Sequence, residues 1–274
     1  MFVLSFAILL ALAAPAAAQT PDQPPPPSSA PEPIDADRPH VGTGTHVVAP
    51  GEVQFELGGQ WQHSTNVRTF ASPALVRIGV SDRVEARVAT DGVLVRDAAQ
   101  ARERGIGNAQ LGVKVRLLGS AEEPYLSVMP AVNLGLASRA KGLGSGESDT
   151  TVTLLAGHAL GHRFHGEANY GVGSIGDPAG RFPQHLLTGA VVHQTTPRLQ
   201  SYVEAAWWSR QERRGTAVSF IDYGVIVALA PRVLMDGGAF TGVTAATPDY
   251  GLFTGLSFAI GPDRAQRAAR RMPF

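Results

Sequence analysis

His158, His162 and His165 stand four and three residues apart, a spacing that on a helix gathers imidazoles on one face and would suggest a bound metal. Their neighbours alternate between polar and apolar, which spreads the trio over a strand, a turn and the next strand. Polar turn and wall positions are the expected roles, and no metal is expected. Gly171, Gly173 and Gly176 satisfy G-x-G-x-x-G after a strand-like run. Asp177-Pro178 follows where a helix should open, so a dinucleotide site lacks its βαβ unit. Ser145 and Ser174 lie among glycines, and no G-x-S-x-G marks an activated nucleophile. Neither catalysis nor a cofactor is expected. The absence of cysteine removes thiol chemistry and Cys-based metal sites. Basic and acidic residues number 23 each, which leaves no nucleic-acid footprint.

A different chemistry is open to charged residues that recur at every second position of otherwise apolar runs. Glu56, Arg77, Glu85, Arg87, Lys114, Arg116, Glu167, Glu204, Asp222 and Asp236 all fall this way. Side chains two apart share one face of a strand, so these ten are the candidates to line a water-filled interior. Arg83, Arg87, Lys114 and Arg116 come from neighbouring runs, as do Glu56 and Glu85. Fixed charges of both signs around a lumen set ion and solute selectivity. The other possibility is that they pair across strands and fill a narrow, closed interior.

The elements that would position them are strands. GEVQFELGG sets Val53, Phe55 and Leu57 against Glu52, Gln54 and Glu56, and SDRVEARVAT, AQLGVKVRLL and FIDYGVIVAL repeat the pattern. YLSVMPAVNLGLAS alternates from Tyr125 to Ser138, with Pro130 marking a bulge or a locally unpaired position. Twelve such segments can be marked between Gly51 and Ile260, and no intervening stretch has useful helical periodicity. Short connections at Ser81-Asp82, Gly119–Pro124, Gly161-His162, Thr196–Arg198 and Pro231-Arg232 alternate with longer ones. The longer ones are expected at Ser64–Thr69, Asp91–Gly105, Arg139–Asp149, Gly176–Pro183, Gln211–Gly215 and Ala246–Asp249.

Residues 1–18 read as a secretory signal, with an apolar core from Phe2 to Ala14 and Ala16-Ala17-Ala18 before the cut. Residues 19–34 form a Pro-rich flexible linker with too little apolar surface to order itself. Residues 35–260 are the folded domain, and 261–274 a basic C-terminal tail carrying Arg264, Arg267, Arg270 and Arg271. Alternating segments of about ten residues, short turns on one rim and a wet face describe an all-β fold: an up-and-down antiparallel transmembrane β-barrel of about 12 strands. Lipid satisfies no open strand edge, so the sheet must close. Its apolar face would meet outer-membrane lipid, with Trp61, Tyr125, Trp207 and Tyr250 suited to an interfacial girdle. A soluble periplasmic β-domain, with the same faces packed inward, is the less favoured alternative.

Two motifs carry resemblances. Gly255, Phe258 and Ile260 in FTGLSFAI resemble the closing-strand signal by which outer-membrane barrels are recognised, which implies the barrel-assembly machinery as a partner. At the other end, DADRPHVGTGTHVVAPGEVQFELG resembles the opening of the outer-membrane transporters linked to phenol degradation, the "MetA-pathway of phenol degradation" family. The residues that carry the likeness are Asp37-Arg38-Pro39, Thr43, Thr45, Val48, Pro50-Gly51, Gln54, Glu56 and Gly58. His40 and Gly42 stand where members often have an acidic residue and a Ser or Thr, and Ala49 is inserted before Pro50. The resemblance implies a barrel of this size with a transport role and no defined substrate. The expected function is passive passage of small solutes, hydrophobic or aromatic ones included; a structural or assembly barrel with a plugged lumen is the alternative. Pro50, lacking an N–H, should end pairing upstream, and Gly51 should allow the bend into the first strand. Gln54 and Glu56 would then point into the lumen, with Asp37-Arg38-Pro39 at or inside the periplasmic mouth.

Overall fold

The computed structural model describes residues 34–262 apart from Gln100, Ala121 and Glu122. The expected signal, the Pro-rich stretch to Pro33 and the expected tail from Asp263 lie outside the described residues. Strand segments follow one another as β1 (Val53–Ser64), β2 (Val67–Ala71), β3 (Ala74–Ser81), β4 (Val84–Thr90), β5 (Val93–Ala98), β6 (Ala101–Ile106), β7 (Ala109–Gly119) and β8 (Pro124–Leu134). Then come β9 (Asp149–Ala159), β10 (Phe164–Asp177), β11 (Gly180–Thr196), β12 (Leu199–Trp208), β13 (Val218–Ala230), β14 (Val233–Gly242) and β15 (Tyr250–Ile260). Among the described residues the exception is one turn of 3-10 helix, Arg139–Lys141.

Three pairs of segments are single bent strands. β2 runs into β3 at Ser72-Pro73, β4 into β5 at Asp91-Gly92, and β6 into β7 at Gly107-Asn108. These breaks lie side by side, since Ser72 donates to Val93 O, Asp91 to Asn108 O and Gly107 to Gly92 O. Pro73 has no N–H for the ladder, and Gly92 takes a φ of 67°, so the local chemistry creases the sheet there. Beyond the crease β2, β5 and β6 continue as a three-stranded flap. Counted as whole strands, the sheet has twelve antiparallel members. It closes where β1 meets β15, from Val53 opposite Ile260 to His63 opposite Tyr250.

The five expected short connections are short turns on the rim that holds both chain ends, which is the periplasmic rim of such barrels. On the opposite rim the connections after β8, β12 and β14 are longer, as expected. The other three expected loops are not loops. Ser64–Thr69, Asp91–Gly105 and Gly176–Pro183 are largely strand, with tight turns after β1, β5 and β10. Arg68, Arg96, Asp97, Arg102 and Arg104 hid the alternation of the flap, which lies past the crease where neither face needs an apolar neighbour. Pro130 sits within β8, where the ladder to β7 lapses between Gly112–Ala131 and Val115–Val128 without a change of register.

Outward positions are apolar and open. Leu57, Val88, Leu111, Leu154, Val203, Ile221 and Leu252 are each roughly half exposed, from 44% at Leu57 to 54% at Leu252. On β1 the climb from Val53 to His63, at ~3.3 Å per residue and a ~40° tilt, is roughly 25 Å, the height of an outer-membrane apolar band. Aromatic pairs mark its margins: Trp61 on Tyr250, Tyr125 on His158 and Phe164 on His193. An apolar outside around a charged inside inverts a soluble core, so the soluble alternative falls and the protein is an outer-membrane β-barrel. The closing seam is fastened on the lipid side by Phe55 stacked on Phe258, ring centroids 5.1 Å apart and planes 18° from parallel. Phe258→Ala should remove about 0.5–1.5 kcal/mol of that pairing. A lower temperature for loss of the folded, fast-migrating gel band would register it, with conductance unchanged.

Candidate functional site

All ten charged candidates sit on the inner wall. Glu56, Glu85 and Lys114 are fully buried, Arg77, Arg87, Arg116, Glu204, Asp222 and Asp236 nearly so, and Glu167 is half-buried. Eight of the ten, Arg116 and Asp222 aside, are met there by residues 34–52. The segment begins at the periplasmic rim, where Ile34 N–H donates to Pro231 O, circles the inside of the barrel and rejoins β1 through a turn at Pro50-Gly51. Gly51 there has a φ of 72°, which is the bend expected of it.

Two successive residues of opposite charge reach different walls. Asp37 meets Arg77, Arg87 and Lys114 from β3, β4 and β7. Arg38 turns Nε and Nη2 to the Asp236 carboxylate on β14, and Nη2 also to Thr254 O on β15. The N–H groups of both residues donate to Glu56. Further round, Val41 and Gly42 donate to the two oxygens of Glu204, each at 2.7 Å. Thr43 exchanges hydrogen bonds with the Asn169 amide, and Ser127 donates to Thr45 O. Arg77 and Lys114 donate to His46 O, and Val48 donates to Glu85. His40 stands edge-on to Tyr202 at 4.2 Å.

This density has a simple cause. Residues 34–52 have no strand or helix ladder, so their buried N–H and C=O groups need side-chain partners. Carboxylates at Glu56, Glu85 and Glu204 supply the acceptors, and Arg77, Lys114 and Ser127 supply the donors. Asp37, Glu56 and Glu85 also balance Arg77, Arg87 and Lys114, three charges against three, so this central cluster buries no net charge. Burying ions is tolerable only when each is paired and hydrogen-bonded.

Gly58 and Gly255 explain the place of Arg38. They face each other across the β1–β15 seam, and a Cβ on either would run into the guanidinium. Two bare positions make its bed. Phe258 and Ile260, the other parts of the closing-strand motif, point outward to the seam stack and the apolar surface. Gln54 is buried and donates to Asp35 O and Glu56, and Asp37-Arg38-Pro39 lies inside the lumen.

Some residues do not converge as their spacing allowed. His158 faces outward against Tyr125, His165 faces inward beside Glu167, and His162 lies in the turn between them. Arg83 is exposed in the turn between β3 and β4, off the wall occupied by Arg87 and Lys114. Reasoning from charge missed Ser127, Asn169 and Tyr202. Their signal was inward parity on β8, β10 and β12, the parity they share with charged neighbours such as Glu167 and Glu204.

Past the segment, toward the crease, a cavity of about 280 Å³ remains between Arg38 and the wall of β1, β3, β4, β7 and β8. The family described as "Putative MetA-pathway of phenol degradation" matches residues 36–260, from within the inserted segment to the end of β15. The chain belongs to this family. Its MetA-pathway match thus takes in both the barrel and the segment that fills it. An outer-membrane channel from Pseudomonas putida F1 shares the fold at 10% identity, over 83% of this chain and 100% of that one, with a TM-score of 0.58. The NanC porin does so at 11% identity, over 74% and 98%, with a TM-score of 0.52. Among curated proteins none matches the sequence significantly.

Proposed function

We propose that this MetA-pathway family member is a passive channel for small solutes, aromatic ones included, and that residues 34–52 are its gate. One observation carries the proposal: the segment that closes the lumen is held by hydrogen bonds and ion pairs to a wall whose partners are nearly all polar. Each of those groups can exchange the segment for water, so the wall suits an aqueous path once the segment moves. The printed descriptions of the two similar structures, a channel and a porin, agree with passage. The description of the family points to phenolic chemistry for the solute. No bond needs to be made or broken for this function.

A covalent lock tests it. The chain has no cysteine, so an engineered pair would be the sole pair. A Cβ at position 157 on β9 would stand 2.9 Å from Thr45 Oγ1 in the gate, close to the separation of a Cβ from the far sulfur across an S–S bond of ~2.05 Å. Wild-type protein in a planar bilayer should open intermittently. Oxidised Thr45→Cys/Gly157→Cys should stay silent, and dithiothreitol should restore its openings. Equal conductance before and after reduction would show that the segment is not the gate. Silence of the wild type and of both redox states would favour a structural barrel with a permanent plug.

A further inference from the structure

We infer that the cavity beyond the gate is a binding site for a small aromatic carboxylate, held at its charged end by Arg38. The inference rests on the channel reading, because it names that channel's solute class, but it is tested by binding alone.

The cavity wall is a single row across five strands: Glu56 opposite Leu75, Leu75 opposite Ala89, Ala89 opposite Gln110 and Gln110 opposite Asn133. One step toward the periplasm on these strands lie Arg77 and Arg87, whose long side chains fill the lumen with the central cluster. Leu75 and Ala89 are uncharged and short of the axis, and this change of side chain opens the cavity. Besides the carboxylates of Glu56 and Asp91, its lining offers three kinds of surface to a ligand. Leu75 and Ala89 give an apolar patch, Gln110 and Asn133 give amides that both donate and accept, and Arg38 gives a cation.

The guanidinium decides the charge of the occupant. Nε and Nη2 are engaged by Asp236 and Thr254, whereas Nη1 makes no hydrogen bond among the described residues, and Arg38 borders the cavity. The neighbouring Glu56 carboxylate does not compete for it, being occupied by Arg77, Gln54 and the N–H groups of Asp37 and Arg38. A carboxylate matches a guanidinium edge in shape as well as charge. A second negative charge would meet Asp91 at the cavity margin, and a strongly hydrated anion would leave Leu75 and Ala89 facing polar atoms. A flat ring satisfies both conditions: its face covers the apolar patch while a ring hydroxyl can reach Gln110 or Asn133. At about 280 Å³ the cavity is at the small end of ligand sites, with room for one ring.

Benzoate and benzamide, alike in shape and different in charge, are the probes. In isothermal titration of the full-length protein in detergent, benzoate should bind at least tenfold more tightly than benzamide. Arg38→Gln should abolish the preference, but it also loosens the gate. Leu75→Phe, away from the gate, fills the cavity and should weaken benzoate at least tenfold while the folded gel band is retained. Benzamide binding within threefold of benzoate, or benzoate affinity unchanged in Leu75→Phe, would overturn the site. A protein that conducts and ignores benzoate sinks the site and leaves the channel; one that binds benzoate in a permanently sealed barrel does the reverse.

Discussion

Asp37→Asn is expected to open the lumen while the barrel stays folded. Asp37 is the one member of the six-charge cluster that the gate contributes; Glu56, Glu85, Arg77, Arg87 and Lys114 all belong to the wall. It also ties the segment to itself, accepting from Gly44 N–H. The amide keeps the size of the side chain and removes its charge, leaving two arginines and a lysine with only two carboxylates between them. Taking one partner from a buried ion set costs about 3–5 kcal/mol. In the closed barrel there is no water to offset that cost. In the open barrel there is, because Arg77, Arg87 and Lys114 would then face a wet lumen. The penalty therefore falls on the closed state, and the open-to-closed ratio should rise by roughly two to three and a half orders of magnitude, at ~1.4 kcal/mol per tenfold. Single-channel recording should show long openings where the wild type shows brief ones. Wild-type gating in Asp37→Asn, with the folded gel band intact, would mean that the cluster stabilises the wall and does not hold the gate.

The same division between wall and segment explains what could be read from the sequence. Strand alternation depends on neighbours in the chain, so the inward parity of Arg77, Glu85, Lys114, Glu204 and Asp236 was legible before any fold was known. Closure was legible too, because lipid on one face forbids a free edge. The flap was not. Its strands lie past the crease, and Arg68 and Arg102 there carry no sign of which side they face. Nor was the path of residues 34–52, since a segment without periodicity leaves no trace of where its hydrogen bonds go. The Asp37-Arg38 pair showed two opposite charges in succession, but that each would meet a different wall depended on strands about 40 to 200 residues away. Gly58 and Gly255 belonged to separate motifs at opposite ends of the domain, and only closure of the seam makes them one feature.

That last point separates two roles for Gly255. If it is needed because the closing strand must be recognised for assembly, Gly255→Val should lower the amount of folded barrel in the membrane. If it is needed as half of the bed under Arg38, the strand itself should tolerate valine, a good strand former. The isopropyl group would then occupy the space of the guanidinium and drive Arg38 from Asp236 and Thr254. The hydrogen bonds lost there involve charged groups, at about 1.5–3 kcal/mol each, so an increase in opening of at least tenfold is expected. Gly58→Val supplies the comparison, because it invades the same bed from β1 and lies outside the closing-strand motif. Both variants should assemble at wild-type levels, as read by heat-shifted gel mobility, and both should conduct more. Assembly failure confined to Gly255→Val, beside a folded and open Gly58→Val, would return Gly255 to the assembly signal and leave Gly58 alone as the residue that makes room for Arg38.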